Sequence, residues 1–184
     1  MLGSPPVNHH WIPIILKHPK PSEAIDLMVE AGNLDPELAA LATIEQDPLH
    51  HPEGRALVHV GHCMDAFAAT RTGDNREDLI VGLAVLLHDV GKATTTEFLD
   101  GKWRAYGHEE AGEAPARAFL SRVVVDDETL INDVIALVVN HMRPTFLYKE
   151  ATRGEIPKAL NRSVRRLARE VRLDRLARVV WCDK

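Results

Sequence analysis

Apolar residues in this chain recur at helical rather than strand spacing. From Arg55 to about Thr72, the residues Leu57, Val58, Val60, Met64, Phe67 and Ala68 follow a period of about 3.6, and Gly73 supplies a stop. The next stretch, Arg76 to Asp89, is apolar on nearly every side through Ile80, Val81, Leu83, Ala84, Val85, Leu86 and Leu87. That pattern predicts a helix central to the core, terminated by Gly91. Further helices are predicted from His108 to Arg122 and from Asp126 to His141, with a broken C-terminal pair from about Pro157 to Val180. Ahead of these, Ser22 can cap a short helix reaching Ala31, stopped by Gly32 and Asn33. Asp35-Pro36 starts another that reaches about Asp47, before Pro48 and Pro52 enforce a connection. Residues 93–107, rich in threonine and broken by Gly101, predict a loop with a short extended piece around Lys102 to Tyr106. Pro5, Pro6, Pro13 and Pro19 predict that residues 1–20 form an irregular, loosely packed leader, leaving residues 21–184 as one domain.

Composition sharpens this to an all-α fold. The chain has 184 residues, 45% of them hydrophobic and only 5% aromatic, which is enough for one well-cored helical domain. No run approaches the roughly 20 apolar residues of a membrane helix, and Trp11 to Leu16 is interrupted by Pro13 and lacks a basic leader. A soluble, cytoplasmic protein without a membrane partner is therefore expected. Cys63 and Cys182 have no metal-binding CxxC spacing and read as reduced thiols, Cys182 as a packing thiol despite adjoining Asp183. The net charge of −5 is uneven: residues 151–184 hold ten Lys and Arg against four Asp and Glu. Arg162, Arg165, Arg166, Arg169 and Arg172 make a helical stripe there. It suits RNA phosphates, but equally a solvated face for which Glu170 and Asp174 offer helix-spaced partners.

The chemistry concentrates in the histidines, of which there are ten. His9, His10, His18, His50 and His51 lie in the leader or beside prolines and read as solvated or capping residues. His88 and Asp89 follow an apolar helix, where an unpartnered polar group would cost on the order of 1 to 3 kcal/mol and a charge more. A carboxylate at a helix C-terminus also opposes the macrodipole, so Asp89 needs a cation. Either a metal or a lysine neighbour would serve, and Lys92 is close in sequence. His59 upstream, with His108, His141 and Asp183 downstream, extends the dipeptide to a mixed imidazole and carboxylate set without thiolates. Such a set suits first-row metals and an open, catalytic site.

These residues resemble the HD superfamily of metal-dependent phosphohydrolases, whose His…His-Asp…Asp signature is met by His59, His88-Asp89 and Asp183. His51-Pro52-Glu53-Gly54, Leu86-Leu87-His88-Asp89-Val90-Gly91-Lys92, Gly107-His108-Glu109 and His141-Met142-Arg143-Pro144 look like the HD domain attached to bacterial tRNA nucleotidyltransferases. The resemblance spans about residues 21–184 and implies a single helical bundle. The nucleotidyltransferase head, with its Gly-Ser-rich motif and paired aspartates, has no counterpart here, so no nucleotide-adding activity is expected. One histidine frequent in the family is replaced, since Arg104-Ala105-Tyr106 stands before Gly107-His108-Glu109. The resemblance also implies that Asp183 lies in a final helix cut short just after it.

Carried over, the resemblance implies that His59, His88, Asp89 and Asp183 hold a first divalent ion: Mn, Fe, Co, Ni, Zn or Mg. Asp89 can bridge to a second at His108 and His141, which could instead face the substrate phosphate. Lys92 acts with Asp89 in catalysis by stabilising phosphoryl charge, or is the salt-bridge partner of Asp89. Arg143 clamps a phosphate oxygen, or is a surface arginine at a helix end. His62 could orient His59 or sit at the core edge, while Glu53 and Glu109 could hydrogen-bond a ligand imidazole. The implied reaction is hydrolysis of a phosphomonoester or cyclic phosphodiester on a nucleotide or RNA end. The alternative is a metal-stabilised nucleotide- or RNA-binding module. Other HD enzymes handle alarmones or nucleoside triphosphates, and a homodimer is compatible with the sequence.

Overall fold

The helix expected at the centre of the core is there. In the computed structural model, which describes residues 11–124, 126–154 and 157–184, α5 (Asn75–Leu87) is buried from Ile80 to Leu87. Asp74 caps its start by accepting from the amides of Arg76 and Glu77. The apolar faces of four other helices close around α5: α1 (Trp11–Lys17), α4 (Ala56–Ala69), α9 (Glu128–Asn140) and α12 (Leu173–Cys182). Burial on every side is why α5 has no polar face. The remaining helices are α2 (Pro21–Glu30), α3 (Pro36–Ala39), α6 (Lys92–Thr95), α7 (His108–Ala111), α8 (Glu113–Val123), α10 (Arg143–Thr152) and α11 (Pro157–Glu170). A two-stranded antiparallel hairpin, β1 (Glu97–Leu99) and β2 (Lys102–Arg104), is the only sheet among the described residues. The fold is all-α, as expected, and no helix of the described residues is long and apolar enough to cross a membrane.

Several elements depart from the sequence reading. Trp11–Lys17, expected to be irregular, is a helix that buries Trp11, Ile12, Ile15 and Leu16. Pro13 stands in its first turn, where the missing amide proton costs no helical hydrogen bond. Residues 1–10 of the expected leader lie outside the described residues. Ser22 does not cap α2; its amide and hydroxyl donate to Asp65 on α4 at 2.9 and 2.7 Å. The helix expected to reach Asp47 stops earlier, as α3 passes into a 3₁₀ turn at Ala40–Thr43 and Ile44 is extended. This early stop frees Gln46 to turn inward. The helix expected over 108–122 breaks at Gly112 into α7 and α8, and α10 fills a stretch for which no helix was expected.

Gly91 is the tightest point. A Cβ there would collide with the His108 carbonyl and the Gly112 amide, so only glycine lets α6 and α7 approach closely. That approach brings His108 to the end of α5.

Candidate metal centre

The carboxyl end of α5 delivers His88 and Asp89 into the interior, each about 1% exposed. His59 reaches the same place from α4, His108 from α7, His141 from the end of α9 and Asp183 from the end of α12. His59 Nε2 lies 2.9 Å from Asp183 Oδ1 and 4.0 Å from Asp89 Oδ2. His88 Nε2 is 3.4 Å from both Asp89 Oδ2 and Asp183 Oδ1. The other oxygen of Asp89, Oδ1, faces His108 Nε2 at 3.4 Å, and His108 Nε2 is 3.2 Å from His141 Nε2.

The backbone sets the tautomers. His88, His108 and His141 donate from Nδ1 to the carbonyl three residues earlier, those of Val85, Ala105 and Val138, at 2.7, 2.8 and 2.7 Å. His59 donates from Nδ1 to Glu53 Oε1 at 2.8 Å. All four rings therefore turn Nε2 inward, the arrangement of ligand imidazoles oriented by an outer hydrogen bond. His88 Nε2 is buried without any hydrogen-bond partner. His108 and His141 point acceptor nitrogens at each other across a gap that a cation would relieve.

Charge gives the same answer. Burial pulls the His88 imidazole down, but Asp89 and Asp183 beside it win and raise its pKa to about 10. Burial likewise pushes Asp89 up, yet His88, Lys92 and His108 hold it well below the usual carboxylate range. Asp183 is also held far below that range, against its own burial, by His88 and by the His59 imidazole beside it. Two buried carboxylates demand positive charge, and the His88 imidazole between them supplies it by holding a proton. His141 differs: burial and the neighbouring His88 lower it to about 4. The donor set thus fits a divalent ion.

Lys92 stands on the wall of an open cavity of about 530 Å³, its Nζ 2.7 Å from both Asp89 Oδ2 and Gln46 Oε1. Asp89, His108, His141 and Asp183 also line that cavity, and Trp103, Arg104, Tyr106 and Lys149 stand around it. Arg143 opens α10 but does not line the cavity; Lys149, two turns on, does. His62 is exposed; the residue that orients His59 is Glu53. His51, read as solvated, joins the site, 3.0 Å from Glu53 and with its ring edge on to His59 at 4.6 Å between centroids. A thiol was not expected either, yet Cys63 is adjacent, its Sγ 3.3 Å from His59 Nε2.

Asp183 is held in place by ion pairs that sequence reading missed. Arg175 of α12 is buried and reaches Glu77 of α5 and Asp133 of α9, each at 2.6 Å. Arg178 adds Asp78 at 2.8 Å. Of the basic stripe, Arg166 pairs with Glu170 at 3.1 Å, and Arg172 donates from Nε to Asp174 at 3.1 Å while also reaching Glu77 on α5 at 3.3 Å.

The family model for the HD domain matches residues 49–180, the span that holds His59, His88, Asp89, His108 and His141 but not Asp183. The chain belongs to the HD-domain family. This HD domain is 33% identical over 172 residues to the multifunctional CCA protein of Laribacter hongkongensis, covering 91% of the chain and 40% of that protein. It is 41% identical over 111 residues to the multifunctional CCA protein of Halorhodospira halophila, covering 59% of the chain and 25% of that protein. The likeness to the Cupriavidus metallidurans protein of the same name is 35% over 116 residues. The chain thus spans between a quarter and two fifths of the length of the first two relatives. No solved structure matches it.

Proposed function

We propose that this HD domain hydrolyses a phosphomonoester or cyclic phosphodiester of a nucleotide or RNA end with the help of divalent ions. The observation that carries the proposal is the convergence of four tautomer-fixed Nε2 atoms on the two oxygens of Asp89. In this reading His59, His88, Asp89 Oδ2 and Asp183 hold a first ion. Asp89, His108 and His141 would hold a second, since His141, its Nδ1 proton given to the Val138 carbonyl, turns only a lone pair inward. When bound, such ions make water nucleophilic near neutral pH and offset charge on the phosphoryl oxygens.

The chain's own groups do the rest. Glu53 keeps the Nδ1 proton of His59, so its Nε2 stays free to ligate. Lys92, fixed by Asp89 and Gln46, holds a positive charge on the cavity wall, where low dielectric strengthens its pull on a substrate oxygen. Arg104 and Lys149 extend that charge outward. Tyr106, 73% exposed, and Trp103, braced edge on by Phe98 at 5.0 Å between centroids, offer flat faces to a nucleobase. This mixture of aromatics and cations, with the resemblance to tRNA nucleotidyltransferases, directs the proposal to nucleotides and RNA ends rather than simple phosphoesters.

Incubation of the chain with Mn, Co, Ni or Mg and a 2′,3′-cyclic nucleotide or nucleoside monophosphate should release product. Tyr106→Ala should raise KM for those substrates roughly five- to a hundredfold, the worth of one stacked base, and leave KM for β-glycerol phosphate unchanged. Salt-dependent RNA binding by a metal-loaded chain that turns over no phosphoester would favour the binding module instead.

A further inference from the structure

His59 and Cys63 are one turn apart on α4, so their side chains project from one face of the helix. Cys63 is 2% exposed, and its Sγ approaches the ligand nitrogen of His59 at 3.3 Å rather than packing among hydrocarbon alone. His59, Cys63, His88 and Asp183 each offer a donor atom, and the four atoms lie within 4.8 Å of one another. A separate observation points to the same spot: the buried, unpartnered His88 Nε2 faces it. With metal–sulfur bonds of about 2.3 Å and metal–nitrogen bonds of about 2.0 to 2.1 Å, neighbouring sulfur and nitrogen ligands stand roughly 3.1 to 3.6 Å apart. The observed spacing falls inside that interval.

We propose that Cys63 is a further ligand of this centre and binds the ion as a thiolate. The inference rests on the metal centre described under the proposed function. On binding, the sulfur–hydrogen bond breaks, the proton leaves to solvent, and the sulfur lone pair forms the bond to the metal; nothing is oxidised or reduced. Without an ion, burial and the carboxylates of Asp183 and Asp89 hold the thiol protonated, so the sulfur is a ligand in waiting rather than a free nucleophile. A soft sulfur donor biases the site towards Zn, Co and Ni and away from Mg and Mn, which prefer oxygen. The competing arrangement is a weak hydrogen bond from the thiol to His59 Nε2, which would occupy the lone pair His59 needs for ligation.

The test is the absorption spectrum of the full chain loaded with Co(II). The expected spectrum shows visible ligand-field bands together with a thiolate-to-cobalt charge-transfer band in the near ultraviolet. Cys63→Ser should lose the charge-transfer band and keep the ligand-field bands, while Cys182→Ser should keep both. Zn(II) affinity should fall at least about tenfold in Cys63→Ser, with Mn(II) affinity changed less than about twofold. Cys182→Ser leaves Cys63 as the sole thiol, so its spectrum decides the matter even if Cys63→Ser does not fold. Ligand-field bands without charge transfer would overturn the role of Cys63 and leave the metal centre standing. Loss of the band in Cys182→Ser would do the same, and no cobalt spectrum at all would overturn both.

Discussion

Asp89→Asn should remove phosphoesterase activity by about three orders of magnitude, because one side chain serves both ligand clusters and also holds Lys92. Its Oδ2 faces His59, His88 and Lys92, and its Oδ1 faces His108. Asparagine keeps the size and the helix-end position while removing the charge. A buried Lys92 then faces a neutral amide, and the two halves of the site lose their shared anion. The loss should therefore appear in kcat, and retained metal should drop in parallel, while the far-ultraviolet helical signal persists. Activity within tenfold of the parent chain, at equal metal content, would remove Asp89 from the centre of the account.

The second large effect is expected far from the ligands. Arg175→Met keeps the apolar stem of the side chain and deletes the charge that ties α12 to α5 and α9. Breaking a buried pair from one side costs roughly 3 to 5 kcal/mol. Here Glu77 and Asp133 keep some water, so about 2 to 3 kcal/mol and a Tm lowered by roughly 5 to 10 °C are expected. The hydrogen bond from Arg175 depresses the Glu77 carboxyl below its ordinary value. A depressed carboxyl contributes stability above its unfolded pKa and loses it as pH falls through the folded one. The gap between the parent and Arg175→Met should accordingly be full at neutral pH and shrink below about pH 4.5. Since α12 carries Asp183, the folded variant should also bind metal about tenfold more weakly. A variant of unchanged stability and affinity would mean that Asp183 is positioned by packing alone.

What could be read from the sequence was local or carried by a motif. The central helix announced itself because no polar face interrupts Ile80 to Leu87, and His88 and Asp89 stood out against that apolar run. His59, His108, His141 and Asp183 followed from the family pattern, and the structure brings all of them to one place. Several of the misses share a physical cause, since the fold rather than the local sequence supplies the partner. His51 looked solvated beside Pro52, and only the fold turns it onto Glu53 and His59. Gln46 was assigned to a helix that ends before reaching it, so its contact with Lys92 could not be foreseen. Arg175 looked like one more residue of a basic terminus, and its acidic partners lie 98 and 42 residues away. Pro13 was read as a break, although proline in a first helical turn is well tolerated. A capping box or an apolar period across 143–152 would have revealed α10, but none of its residues is buried and they follow no clear stripe.

The central claim is that His59, His88, Asp89 and Asp183 hold a divalent ion. Elemental analysis of the untagged chain, purified without added metal, tests it most directly. The account predicts one to two equivalents of a first-row divalent ion per chain, falling below half of the parent value in Asp183→Ala. A folded chain that retains no metal, even after dialysis against Mn, Co, Ni and Zn, would contradict it.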